Sequence, residues 1–153
     1  MSSEEFFQVH PVFTHEEYAQ SRGNTSPRTV DSLLRNHVAS GRVARVRRGL
    51  YVAPPTGASA ETVDPFLVAT KAAPDAAVSH HAALQFHGRV YSVWSQVTFL
   101  TTHATRGFRF GPVEYVPVRP PQPVAHRPDM GGGIECVPSG GGEVRVCSCE
   151  RAM

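Results

Sequence analysis

The sequence predicts an α+β protein made of two small domains. Three observations predict it. Two capped helical segments follow one another before Gly41, a basic β-hairpin pattern comes next, and a second set of short helices and strands opens at Asp64. A chain of 153 residues suits one domain of ordinary size or two small ones. With 41% hydrophobic and 18% charged residues, the composition is that of a globular protein rather than a disordered or fibrous one.

"VFTHEEYAQSRG" (Val12 to Gly23) opens with a helix start signal. Thr14 caps and Glu17 stands three residues on, the capping-box spacing. Val12 or Phe13 before the cap and Tyr18 after it form a hydrophobic staple, and Gly23 is the stop. "SPRTVDSLLRNHVASG" (Ser26 to Gly41) carries the strongest helix signals. Ser26 caps, Pro27 takes the first helical position and Gly41 ends it. Val30, Leu33, Leu34 and Val38 repeat at helical spacing and define one apolar face. At ~100° per residue Arg28, Ser32 and Arg35 fall opposite, with Asn36 at the edge. The short link between the two helices allows only a sharp turn.

"RVARVRRGLYV" (Arg42 to Val52) then reads as a hairpin. Under period-2 alternation Arg45 and Arg47 share one face, and Ala44 and Val46 the other. Gly49 supplies the turn and "LYVA" returns. The net charge of the chain is only +2, yet between Ser26 and Arg48 six arginines face a single acid, Asp31. Fourteen arginines against the lone Lys71 reflect codon usage as easily as function. The clustering carries the argument, because a codon bias spreads arginine evenly. Helix, tight turn, capped second helix and basic hairpin is the order of a winged helix-turn-helix. In such a domain the second helix enters the major groove and the hairpin reaches the phosphates. The expected double-stranded DNA contacts are Arg28, Thr29, Ser32, Arg35 and Asn36 on the helix and Arg45, Arg47 and Arg48 on the hairpin.

After a linker, "DPFLVATKAA" (Asp64 to Ala73) reads as a helix capped by Asp64, and "SHHAALQFHG" (Ser79 to Gly88) as another capped by Ser79. "SVWSQVTFLTT" (Ser92 to Thr102) and "PVEYVPV" (Pro112 to Val118) read as strands. Four prolines from Pro120 to Pro128 and two "GGG" runs beyond Gly131 predict a Gly-rich, poorly ordered tail. The domains are therefore expected at 1–57 (winged helix-turn-helix), 58–63 (linker), 64–128 (a small α/β domain) and 129–153 (tail).

No catalytic or cofactor motif stands out. His80, His81 and His87 have no carboxylate or cysteine nearby to complete a metal site, and are expected to hydrogen-bond to their neighbours. Cys136, Cys147 and Cys149 have no zinc-ribbon spacing and read as surface or tail thiols. The acids are scattered, there is one lysine, and neither a phosphate-binding loop nor a nucleophile elbow is present. The expectation is no enzyme, no cofactor and no metal. "MSSEEFFQVHP" lacks the basic start and apolar core of a signal peptide, and no apolar run approaches the ~20 residues that span a bilayer. A cytoplasmic protein without a membrane partner is expected.

From Val12 to Val118 the chain resembles the AbiEi family of antitoxins from type IV (abortive infection) toxin–antitoxin systems. The resemblance rests on "VFTHEEYA…SPRTVDSLLRNHVASGRVARVRRGLYV", on "DPFLVATKAAPDAAVSHHAALQFHG" and on "SQVTFLT". It implies a repressor that binds the operator of its own operon. It also implies a C-terminal domain that counters a nucleotidyltransferase toxin without a stable complex. Glu150 and Arg151 resemble the start of a further segment of that family, so the chain reads as a fragment, a truncated gene product or a shortened member. Two other readings stand beside this one: a ligand-responsive winged-helix regulator, and the regulatory remnant of an endonuclease-fused protein.

Overall fold

The computed structural model describes residues 2–88, 96–120, 133–139 and 142–148, and for Glu61, His81 and Ser139 the backbone alone. It is an α+β protein that divides into two compact units, one holding Met1–Val63 and the other built from the chain beyond Asp64.

The first unit begins with α1 (Ser3–Val9), which the sequence reading left unassigned. Its start is a complete capping box, with the Glu5 backbone N–H donating to Ser2 Oγ and the Ser2 N–H donating to Glu5 Oε2. Strand β1 (Val12–Thr14) follows, then α2 (His15–Ser21) and α3 (Pro27–Ala39). The Thr14–Glu17 capping box expected for α2 is formed, as are the Ser26 cap and the Pro27 entry of α3. The hairpin is β2 (Ala44–Arg47) and β3 (Leu50–Val52), and the sheet order is β1-β3-β2. Val12 to Thr14 form a strand instead of a helix entry because they pair with β3, Val12 opposite Val52 and Phe13 opposite Tyr51.

An aromatic cluster holds these elements together. The Phe6 ring lies 5.1 Å from Phe13 and 5.4 Å from Tyr18, both edge-on, and Phe7 stacks on Phe13 at 5.6 Å. Phe13 and Tyr18 meet at 6.0 Å, the pairing expected of the staple. Such pairs contribute about 0.5–1.5 kcal/mol each beyond the apolar area they bury. Val30, Leu34, Val43 and Ala53 complete the cluster. The apolar face of α3 is rotated from the expected one. Val30 and Leu34 are buried and Leu33 partly so, but Val38 is exposed and His37 takes its place, edge-on to Phe7 at 5.0 Å. Burial lowers the basicity of His37, with Arg42 and Arg22 adding to the effect against Glu4.

The hairpin departs from strict alternation. Arg45 pairs with Tyr51 but Arg47 pairs with Leu50, with a register shift between them. Val46 is the extra residue of a β-bulge. Neighbours along β3 point to opposite faces, so Arg45 lies on the face of Tyr51 and Arg47 on that of Leu50. The expectation that the two arginines share a face is thus corrected: Arg45 is exposed and Arg47 half-buried.

The second unit is a six-stranded mixed sheet in the order β6-β7-β5-β4-β9-β8, with two helices, α4 (Pro65–Thr70) and α5 (His80–Phe86). Its strands are β4 (Ala77–Val78), β5 (Gln96–Leu100), β6 (Phe108–Phe110), β7 (Val113–Val118), β8 (Ile134–Ser139) and β9 (Gly142–Cys147). β5 runs parallel to β7 and antiparallel to β4, and β4 runs parallel to β9. Asp64 caps α4 through Phe66 N–H at 2.9 Å. Ser79 does not cap α5: its hydroxyl lies against His80 Nδ1 at 2.9 Å, and His80 has a left-handed φ of 55°.

The expected tail is also corrected. Residues 134–139 and 142–147 are strands of this sheet, Val144 and Val146 are fully buried, and Val146 pairs with Val78 across the molecule's own core. Their alternating valines find a partner far away in sequence, which outweighs the flanking glycines. Cys147 is buried in β9, so it is no surface thiol, whereas Cys136 is exposed. Residues 89–95, 121–132, 140–141 and 149–153 lie outside the described residues. With them lie the start of the expected strand from Ser92, the proline run from Pro121, the ends of the expected tail, and Cys149. No helix among the described residues is long and apolar enough to cross a membrane.

Candidate nucleic-acid interface

The sequence-predicted residues divide among three places. Arg28, Thr29, Ser32, Arg35 and Asn36 are all exposed on the outer face of α3, opposite buried Val30 and Leu34. The helix presents them because its caps fix where it starts and the aromatic cluster fixes its rotation. Thr29 is partly engaged, since its backbone N–H donates to Ser26 Oγ at 3.3 Å and the two hydroxyls meet at 2.9 Å.

Arg35, Arg45 and Arg48 converge on one groove of about 720 Å³ between α3 and the hairpin. The groove is also lined by His15, Asp31, Val38 and Tyr51. Three guanidiniums against one carboxylate make it electropositive. Gly49, at φ 80°, turns the hairpin back, and its carbonyl accepts a 2.9 Å hydrogen bond from the His15 backbone N–H. The hairpin tip is therefore tied to the start of α2. Arg28, Arg35, Arg45 and Arg48 are exposed and form no ion pair with any described residue.

Two arginines of the basic stretch lie elsewhere. Arg47 sits on the far side of the hairpin, where burial lowers its pKa while leaving it charged. Arg42 is a structural residue. Its guanidinium holds Glu4 through two donors at 2.8 and 2.9 Å, donates to the Pro54 carbonyl at 2.7 Å and covers the Phe7 ring at 5.3 Å. Its hydrogen bond draws the Glu4 carboxyl below the ordinary range. The basic stripe of the sequence is thus smaller than six residues.

Sequence reasoning missed His15, Val38 and Tyr51, which reach the groove only through tertiary packing. Asp31 had a signal, as the single acid among the six arginines. Its Oδ1 accepts from His15 Nε2 at 2.7 Å, and both side chains are exposed.

In the second unit Asp75 and His87, both half-buried, are engaged by hydrogen bonds. Asp75 accepts from Thr101 Oγ1 (2.6 Å), Thr102 Oγ1 (2.6 Å) and the Thr102 N–H (3.0 Å). Burial by itself raises the Asp75 pKa, and these hydrogen bonds outweigh it, leaving the carboxyl below its ordinary value. His87 Nε2 meets the Cys147 carbonyl at 2.9 Å. Among the described residues no three His, Cys, Asp or Glu side chains gather as metal ligands. Comparison of the chain with known family models and with curated proteins finds no match.

Proposed function

We propose that the first unit is a winged helix-turn-helix and that the protein is a transcriptional repressor acting on double-stranded DNA. The order helix, strand, helix, helix, strand, strand, with the sheet ordered β1-β3-β2, supports the fold reading. α3 is then the recognition helix and the β2–β3 hairpin the wing. The observation that carries the functional reading is the convergence of Arg35, Arg45 and Arg48 on one groove beside the polar face of α3. Guanidiniums from two elements at one edge suit a polyanion, and Arg and Asn on the helix suit base edges.

The resemblance to AbiEi antitoxins supplies the biological setting. The protein represses its own operon and opposes a nucleotidyltransferase toxin without a stable complex, a role the resemblance assigns to the second unit. The decisive experiment is fluorescence anisotropy of the whole chain with duplexes from its own upstream region and with scrambled duplexes, at several salt concentrations. Affinity that falls linearly in log–log form with salt and favours the upstream duplex is expected. Binding that ignores salt, or none at all, would overturn the reading. Growth rescue on co-expression with an adjacent nucleotidyltransferase tests the antitoxin role separately.

A further inference from the structure

Asp31 is out of place on its surface. It lies on the flank of α3 shared with Arg35, at the groove that Arg45 and Arg48 enter, and it is the single acid among the arginines of this stretch. A carboxylate there repels phosphate. Its ion pair with His15 does not account for it as a stability device, because the side chains are 57% and 38% exposed and exposed pairs contribute little. Nor does it pair with Arg35, one helical turn away, since Asp31 makes no hydrogen bond with any described residue except His15. What the His15 contact does is hold one oxygen, Oδ1, while Oδ2 takes no hydrogen bond from any described residue and remains available as an acceptor.

Resting on the DNA reading, we propose that Asp31 is a specificity-determining residue that reads cytosine, with His15 as its positioning residue. In the major groove cytosine offers the N4 amino group, a donor without an adjacent acceptor, whereas adenine sets the N7 acceptor beside its N6 donor, guanine offers two acceptors and thymine one. A carboxylate accepts from the first and is repelled by the others. Discrimination built on repulsion is what makes an acid useful on a basic surface that otherwise binds any duplex. Arg35, about 40° around the helix from Asp31 at ~100° per residue, is placed to read a guanine on a neighbouring step. The recognised element is then a C beside a G.

The test is selection of duplexes from a random pool by the whole chain, comparing the wild type with Asp31→Ala, His15→Ala and His15→Gln. The wild type is expected to enrich a motif containing an invariant C·G pair. Asp31→Ala loses preference at that pair by about tenfold, within the range that one mismatched pair costs, and binds scrambled DNA more tightly. His15→Ala weakens the same preference, and His15→Gln, whose amide can still donate to Oδ1, restores it. A motif unchanged in Asp31→Ala would overturn the inference and leave the DNA reading standing. No retention of any duplex by the wild type would overturn the DNA reading itself, and the inference with it.

Discussion

The two units fill a small core with different proportions of ring and small side chain. The first packs four aromatic rings, Phe6, Phe7, Phe13 and Tyr18, between three short helices and a three-stranded sheet. The second buries the rings of Phe99 and Tyr115 among many small side chains, such as Ala69, Ala76, Ala77, Ala82 and Ala83, with Val78, Val97, Val144 and Val146 of a broad sheet. Large rings fix a helix by a few close contacts and leave its other face at liberty to carry charge. In the second unit the half-buried Asp75 and His87 are held by Thr101, Thr102 and the Cys147 carbonyl. The difference is one of concentration: in the first unit Arg35, Arg45 and Arg48 line one groove, and it is there that the proposed recognition is to be sought.

The largest expected effect is on the rings. Phe13→Ala is expected to cost ~3–5 kcal/mol, as deletion of a buried phenyl does. Val146→Ala in the second unit is expected to cost roughly 2 kcal/mol, from two methyl groups and the cavity they leave. Chemical denaturation of both variants measures the contrast, and equal costs would erase it.

Next is Asp75→Ala, which strands the buried Thr101 hydroxyl and the Thr102 amide at a cost of ~1–3 kcal/mol. The folded carboxyl lies below its ordinary value, so the unfolded chain takes up the proton first as the solution is acidified. The contribution is therefore complete above about pH 4, the ordinary Asp value, and is lost as pH falls through the lower folded value. Stability of wild type and variant measured at pH 7 and under acid should converge.

Arg35→Ala sharpens the contrast from the other side. Its fold should change by no more than about 0.5 kcal/mol, while discrimination between preferred and scrambled duplexes falls by ~1–3 kcal/mol. Smallest is the division within the wing. Arg45→Ala should lower the slope of log affinity against log salt by ~0.9, the loss of one phosphate contact, while Arg47→Ala leaves it unchanged. Equal slopes for the two variants would mean that the bulge does not separate them.

Helices α2 and α3 were legible because their signals are local, whereas α1 was missed although its Ser2–Glu5 capping box is local too. Thr14 with Glu17, Ser26 with Pro27, and the staple of Phe13 on Tyr18 all act within a few residues, and the structure forms each of them. The rest of what was not legible depends on distant partners. β1 is a strand only because Val52 lies opposite Val12, and β9 only because Val78 lies opposite Val146. The bulge at Val46 has no local mark, yet it moves Arg47 to the other face. At the groove, the guanidiniums were visible in the sequence, but the contact of His15 with Asp31 joins two helices across a turn.

The hydrogen bond from the His15 amide to the Gly49 carbonyl has a consequence for the time course of recognition. A free hairpin tip must be immobilised when it meets a ligand, and ordering a backbone residue costs about 1–2 kcal/mol of entropy. Here the tip is already anchored to the start of α2. Helix and hairpin then arrive as one rigid jaw, and the loss of freedom that a loose loop would suffer at encounter has occurred during folding. On the proposed DNA-binding reading the tether slows dissociation without adding a contact to the duplex, and lengthening the Arg48-Gly49 turn with inserted glycines is expected to shorten the residence time while leaving those contacts intact.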